Sequence, residues 1–214
     1  MRFRDRREGG VRLVELIEEL GLHDPVVLAL PRGGVPVAAE LARGLGVGFD
    51  VIVARKVGAP NQPELGIGAV AEGGATVYSD RARRILDVDD EQFELMAGQV
   101  RAEVDRRVQR YRGDRRLPEL AGRDVLIVDD GLATGVTAEA AIAAVTDGAP
   151  NRIVIAVPAG ARDTVERLRD RAEVVSVVTP GRFRAVGEWY DDFRQTTDEE
   201  VVAALAESGH GPPG

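Results

Sequence analysis

The stretch VLIVDDGLATGVTAEAAIAAV, Val125 to Val145, decides the fold. A short apolar run, Val125 to Val128, ends in two carboxylates, Asp129 and Asp130. Small residues follow from Gly131 to Thr137, and an Ala-rich helical stretch begins. Apolar strand, acidic tip, glycine-containing turn and helix describe an α/β unit whose ligand site lies beyond the carboxyl end of the strand. An unpaired buried carboxylate is very costly, so Asp129 and Asp130 read as ligand-facing residues rather than core. The backbone N–H groups of Thr134, Gly135, Val136 and Thr137, with the two threonine hydroxyls, suit a phosphate at the helix N-terminus. The carboxylates beside them suit hydroxyl groups or a divalent metal.

Upstream, Val11, Val14, Ile17 and Leu20 space a helix that Gly21 stops. Pro25 to Leu30 reads as a strand, followed by Pro31-Arg32-Gly33-Gly34 and a helix from Val35 to Leu45. A glycine pair there lets backbone approach a bulky anion. The next strand candidate, Phe49 to Ala54, ends in Arg55 and Lys56, two cations expected on the same ligand-facing side. Glycine-rich sequence then runs from Gly58 to Ser79. Alternation over Ile67–Val70 and Ala75–Tyr78 predicts a hairpin with Gly73-Gly74 at its turn, an arm able to cover a site. A short element is expected over Arg81–Leu86. Asp89 and Gln92 match a helix cap and its third-position partner. Phe93, Met96, Val100, Val104, Val108 and Tyr111 then form the inward stripe of a docked helix, with the charges of RRVQRYRGDRR solvated opposite.

Downstream come a helix (Ala138–Val145), a strand (Arg152–Val157), a helix (Arg162–Arg171) and a strand (Glu173–Val178). This alternation predicts an α/β fold: a mostly parallel sheet flanked by helices on both faces. The sequence after Thr179 leaves the pattern and gathers Phe183, Trp189, Tyr190 and Phe193. Thr197 and Glu200 form a capping box for a last helix, Asp198–Leu205. The expected organisation is one domain over 1–214, with a core at 25–178 that carries the arm and helix of 58–111. A small hood comprises 1–24 and 179–207, and a frayed tail occupies 208–214.

Composition removes several classes. The formal charge is −8, from 28 Lys and Arg against 36 Asp and Glu, which argues against a general nucleic-acid or membrane-surface binder. Cysteine is absent and there are two histidines, so disulfides, thiolate chemistry and a histidine zinc site are not expected. No apolar run approaches the about 18 residues of a membrane span, and the expected location is the cytoplasm. The lack of a GxxxxGK[ST] loop disfavours an ATP-hydrolysing nucleotide binder.

Val125 to Thr137 resembles the phosphoribosyl-diphosphate motif of type I phosphoribosyltransferases, in which an apolar strand, two acidic residues and a loop ending in Thr-Gly-x-Thr follow one another. The whole chain also resembles bacterial members of that family with no settled acceptor. The resemblance implies that Asp129 and Asp130 bind the ribose hydroxyls, directly or through magnesium. It places the 5-phosphate on Thr134, Gly135, Val136 and Thr137, beside Ala133. Arg32, Gly33 and Gly34 look like the diphosphate loop, often held by a non-proline cis peptide. Arg55 and Lys56 resemble the catalytic cations that meet the diphosphate, and the 58–79 arm sits where the family has a flexible loop. Phe183, Val186 and Trp189 fall where a nucleobase is usually held.

The implied reaction is transfer of the phosphoribosyl group to a small nitrogenous acceptor, with magnesium as cofactor. No nucleic acid or membrane is implied, and a homodimer is one arrangement open to the chain. Purine-using relatives commonly place an Asp before this Thr-Gly as a proton acceptor. Ala133 stands there instead, so that role does not carry over; a hood carboxylate such as Glu188 or Asp191 is one substitute. The same loss motivates an alternative reading as a phosphoribosyl-diphosphate sensor acting on an RNA or protein partner.

Overall fold

The computed structural model describes residues 1–60, 62–79, 86 and 88–209. Five strands form a parallel sheet in the order β2-β1-β6-β7-β8: β1 (Val26–Ala29), β2 (Phe49–Val51), β6 (Asp124–Val128), β7 (Arg152–Ala159) and β8 (Glu173–Val178). Their sequences are nearly continuous apolar runs because both faces are covered, as parallel sheets require. On one face Val27, Leu126, Val128 and Ala156 pack with Leu13 and Ile17 of α1 (Arg6–Glu18), Leu41 of α2 (Gly34–Leu45), and Val201 and Leu205 of the last helix. On the other face Leu28, Ile127, Ile155 and Val157 meet Ile142 and Val145 of α4 (Val136–Thr146) and Val165 and Leu168 of α5 (Arg162–Leu168). Each fully buried Leu, Ile or Val of this kind contributes about 2 kcal/mol.

Strand order reverses between β1 and β6, since β1 is followed by β2 on one side and paired with β6 on the other. Loops leaving the carboxyl ends of these two neighbours diverge, and the crevice between them is where open α/β sheets bind ligands. Both sequence motifs leave from there: Arg32-Gly33-Gly34 after β1, and Asp129-Asp130 after β6.

The segment after β2 differs from expectation. The strand ends at Val51, and a new strand, β3 (Ala54–Ala59), joins β4 (Gln62–Ala71) and β5 (Thr76–Tyr78) in a separate antiparallel sheet. Arg55 and Lys56 therefore lie inside β3, opposite Val70 and Ala69, and not at the tip of a parallel strand. The break falls within an apolar run, Val51 to Ala54, and is hidden because the residues on both sides of it are buried. The predicted hairpin is present: β4 and β5 pair from Gly68↔Tyr78 to Val70↔Thr76, with Gly73 and Gly74 at positive φ in the turn.

The long helix, α3 (Asp90–Arg112), carries the expected Asp89/Gln92 capping box and buries Phe93, Val104 and Tyr111 against the antiparallel sheet. The expected element at 81–86 lies outside the described residues except for Leu86, as does the tail from 210 onward. The last helix, α6 (Asp198–Glu207), has its Thr197/Glu200 capping box.

Helix α1 starts five residues earlier than its apolar stripe suggests, capped by the Asp5 side chain on Glu8 N–H at 2.8 Å. Its buried face is Gly9, Gly10, Leu13 and Ile17, while Val11, expected inward, is 57% exposed. Gly10 marks the reason: a Cβ there would collide with the Val37 carbonyl, so α1 and α2 touch backbone to backbone. No helix among the described residues is long and apolar enough to cross a membrane.

Candidate functional site

The two motifs are in contact. A Cβ on Gly33 would overlap the Asp130 carboxylate, and one on Gly34 would meet the Val128 carbonyl and Asp129 Cα. The loop after β1 is thus seated directly on the acidic tip of β6. Its Pro31–Arg32 peptide is cis, as the resemblance suggested.

Asp129 and Asp130 are half-buried. Asp129 Oδ1 accepts the Asp130 N–H at 2.8 Å. Burial, then the neighbouring Asp130 charge, pushes the Asp129 carboxyl well above its ordinary range. Burial also raises Asp130, against the pull of Arg6. Arg6 Nε donates to Asp130 Oδ2 at 2.7 Å, and its guanidinium lies 3.8 Å from the centre of the Phe193 ring. The Tyr190 hydroxyl donates to the Asp130 carbonyl at 2.5 Å. The acidic tip is therefore held by residues from both chain ends, which sequence reading did not foresee. An arginine in a charged N-terminal segment and a tyrosine among other aromatics carry no local sign of such long-range partners.

The turn after the tip ends at Gly135, whose φ of 74° opens α4, so the amides of Val136 and Thr137 belong to its uncapped first turn. Thr134 is exposed and Thr137 half-buried. The turn is braced from α5: Thr164 Oγ1 donates to the Ala133 carbonyl at 2.6 Å, and Arg167 Nη2 to the Thr134 carbonyl at 2.6 Å. With its carbonyls turned to α5, the turn has the shape of an anion seat at a helix N-terminus.

Of the expected cationic pair, Arg55 joins a wider cluster of arginines, whereas Lys56 follows it in β3 and by strand alternation lies on the opposite face. Arg55 Nη1 bonds Glu103 of α3 at 3.0 Å, and Arg107 Nε bonds the same carboxylate at 2.9 Å. Burial, then the nearby Arg107 charge, lowers the Arg55 pKa from its ordinary value, and Arg32 adds to the effect. Arg32 Nη1 lies 3.8 Å from Asp198, which also pairs with Arg110 at 3.1 Å and accepts the Tyr111 hydroxyl. Part of the α3 charge run expected to be solvated is thus folded over the loop after β1. The sequence signal was available: Glu103, Arg107, Arg110 and Tyr111 share one helix face.

Phe183 and Trp189 stack at 6.0 Å and 19°, and with Val186 they pack on Phe3, Ala159 and Tyr190. The Phe3 N–H donates to the Trp189 carbonyl at 2.8 Å and the Asp191 N–H to the Phe3 carbonyl at 2.8 Å, joining the two chain ends. Asp191 itself pairs with Arg2 at 3.3 Å.

A family model described as the phosphoribosyl transferase domain matches residues 12–192. The chain belongs to this family. Phosphoribosyl transferase relatives named provisionally in two strains of Mycobacterium tuberculosis are 44% identical over 204 residues, covering 95% of this chain. The chain spans about half the length of these curated relatives, 46%. The crystal structure of TT1426 from Thermus thermophilus is 50% identical, with a TM-score of 0.82, covering 97% of this chain and 99% of that one. A hypothetical protein from Neisseria gonorrhoeae, solved with bound ppGpp, shares the fold at 16% identity and TM-score 0.51, covering 98% of each chain. The parallel sheet and its helices are the type I phosphoribosyltransferase fold.

Magnesium accompanies this family, and the donor set suits it. Asp129 and Asp130 are hard oxygen ligands, with one carboxylate oxygen apiece engaged by the Asp130 amide and by Arg6. Among the described residues no group of three or more His, Cys, Asp or Glu is placed to hold a metal. Two carboxylates without an all-protein cage match an ion that keeps waters and takes substrate oxygens as ligands.

Proposed function

We propose that this phosphoribosyl transferase domain transfers the phosphoribosyl group of 5-phospho-α-D-ribose 1-diphosphate to a small nitrogenous acceptor, releasing diphosphate. The observation that carries the reading is the seating of Gly33 and Gly34 on the Asp129-Asp130 tip. This contact supports the reading because it brings the loop after β1 against the acidic tip of β6, next to the turn at Thr134 to Thr137. Asp129 and Asp130 would hold the ribose hydroxyls. Thr134, Gly135, Val136 and Thr137 would hold the 5-phosphate with backbone N–H groups and hydroxyls. The loop at Arg32, Gly33 and Gly34 would take the diphosphate.

In the reaction the C1–O bond breaks, its electron pair leaving with diphosphate, and the acceptor nitrogen forms the new bond to C1 with loss of its proton to solvent. Positive character grows on the sugar and negative charge on the leaving group. Fixed cations and backbone dipoles aimed at that charge lower the barrier. Arg32 and Arg55 would serve this task, with Lys56, the next residue of β3, a further candidate. Magnesium bound by Asp129 and Asp130 would neutralise diphosphate oxygens. Phe183, Val186 and Trp189 are candidate acceptor contacts through the hood. The absence of a carboxylate at Ala133 favours an acceptor that needs no protein base at that point.

Calorimetry with phosphoribosyl diphosphate and magnesium tests the donor half; folded protein that does not bind would sink it. Diphosphate release across a panel of nitrogenous acceptors tests the transfer. Tight donor binding without release for any of them would favour the second reading, a sensor of this metabolite acting on an RNA or protein partner, which Ala133 also motivates.

A further inference from the structure

Four guanidiniums from three separate elements meet over the loop after β1. Arg32 comes from that loop, Arg55 from β3, and Arg107 and Arg110 from α3. They share two carboxylates, Glu103 and Asp198; Arg106 also pairs with Glu103 and Glu199 with Arg110, so among the described residues of this cluster five arginines meet three carboxylates and the group carries excess positive charge. Ion pairing that served only to fasten α3 would match its charges. Here Glu103 is shared between Arg55 at 3.0 Å and Arg107 at 2.9 Å, and each retains guanidinium N–H groups beyond the one on Glu103. A planar guanidinium fork matches the oxygens of a phosphoryl group.

Arg107 is the informative member. Its side chain is 21% exposed, against 39% for Arg55 and 49% for Arg110, so α3 holds it inward rather than in solvent. Its charge reaches Arg55, Tyr111 and Asp198, three groups on three different elements, which puts it centrally in the cluster. A cation held among other cations is stabilised by added negative charge, and an excess of positive charge of this kind fits a polyanion.

We propose that Arg107 is a diphosphate-binding residue, completing with Arg32 and Arg55 a seat for the leaving group that α3 carries to the loop after β1. The proposal rests on the phosphoribosyl-transfer reading for the identity of its ligand. It makes α3 a wall of the site, where the sequence suggested only a docked helix.

The test is calorimetry on the full chain with inorganic diphosphate and magnesium, with phosphoribosyl diphosphate, and with ribose 5-phosphate. Variants are Arg107→Ala, Arg107→Lys and, on the same helix but paired with Glu94, Arg101→Ala. Circular dichroism establishes that each is folded. Arg107→Ala is expected to weaken diphosphate and phosphoribosyl diphosphate at least tenfold while ribose 5-phosphate stays within twofold. Arg107→Lys should recover part of the loss, and Arg101→Ala should match the parent. Diphosphate affinity within twofold of the parent in folded Arg107→Ala would overturn the seat, as would an equal loss for ribose 5-phosphate or no diphosphate binding by the parent. Arg107-dependent binding of diphosphate without any binding of phosphoribosyl diphosphate would uphold the seat and remove the phosphoribosyl reading. Donor binding indifferent to Arg107 would do the reverse.

Discussion

Arg6 and Asp130 are 124 residues apart in sequence and form a hydrogen-bonded ion pair at 2.7 Å, with side chains only 10% and 14% exposed. The pair ties the first turn of α1 to the acidic tip of β6. Arg6 also donates to the Arg194 carbonyl at 2.7 Å, so the same guanidinium fastens the C-terminal segment. A carboxylate aimed at a ligand would otherwise be a buried charge without a partner. Arg6 offsets that cost and orients the group.

Arg6→Ala should therefore destabilise by about 3 kcal/mol, because it strands a half-buried carboxylate as well as deleting a contact. Arg6→Lys should recover part of this, lacking the planar stack on Phe193. Urea unfolding of the three proteins measures both; a loss below about 0.5 kcal/mol, typical of surface changes, would contradict the buried-pair account.

Asp129→Asn with Asp130→Asn should abolish measurable binding of phosphoribosyl diphosphate while leaving the far-ultraviolet spectrum unchanged. Comparable affinity in the folded double variant would show that the ribose assignment is misplaced.

Glycine substitutions separate packing from propensity. Gly34→Ala places a Cβ against the Val128 carbonyl and Asp129 Cα, both backbone atoms that cannot rotate away. It should cost about 2 kcal/mol and disturb donor binding. Gly98→Ala, inside α3 with open space around its Cβ, should instead stabilise by about 0.5–1 kcal/mol. Thermal melts that shift in the same direction for both would refute the distinction.

Acid stability should depend on Asp124, which is 1% exposed at the opposite end of the sheet. Burial works to raise its pKa, but donors from His23 N–H at 2.8 Å, Asn151 at 2.6 Å and Arg152 at 2.9 Å outweigh it and hold the carboxyl below its ordinary value. The unfolded chain then binds this proton more readily than the native one. The stabilisation is full above the unfolded value of about 4 and is lost as pH falls through the lower folded value. Asp124→Ala should cost about 3 kcal/mol at neutral pH and flatten the acid limb of stability. An unchanged slope between pH 5 and pH 2, measured by denaturant titration, would exclude this role.

Much of the fold was legible because its strands are buried on both faces and its turns carry their own chemistry. Val125–Val128 could only be a central strand, Thr197 and Asp89 cap helices through neighbours three residues away, and Gly73-Gly74 closes a hairpin. The break at Val51 was not legible: Val51 and Ile52 on its two sides are equally apolar, and only pairing partners distinguish two sheets.

The sequence by itself determined the α/β alternation, the acidic tip at Asp129-Asp130, the turn from Thr134 to Thr137 and the loop at Arg32 to Gly34. These are local features, each set by side-chain period or by the dihedral needs of a few adjacent residues. Tertiary structure decided that Gly33 rests on Asp130, that Arg6 and Tyr190 hold the tip, and that Arg107 joins Arg32 and Arg55. Those relationships depend on how helices cross the sheet. Long-range packing fixes that, and no short window of residues encodes it.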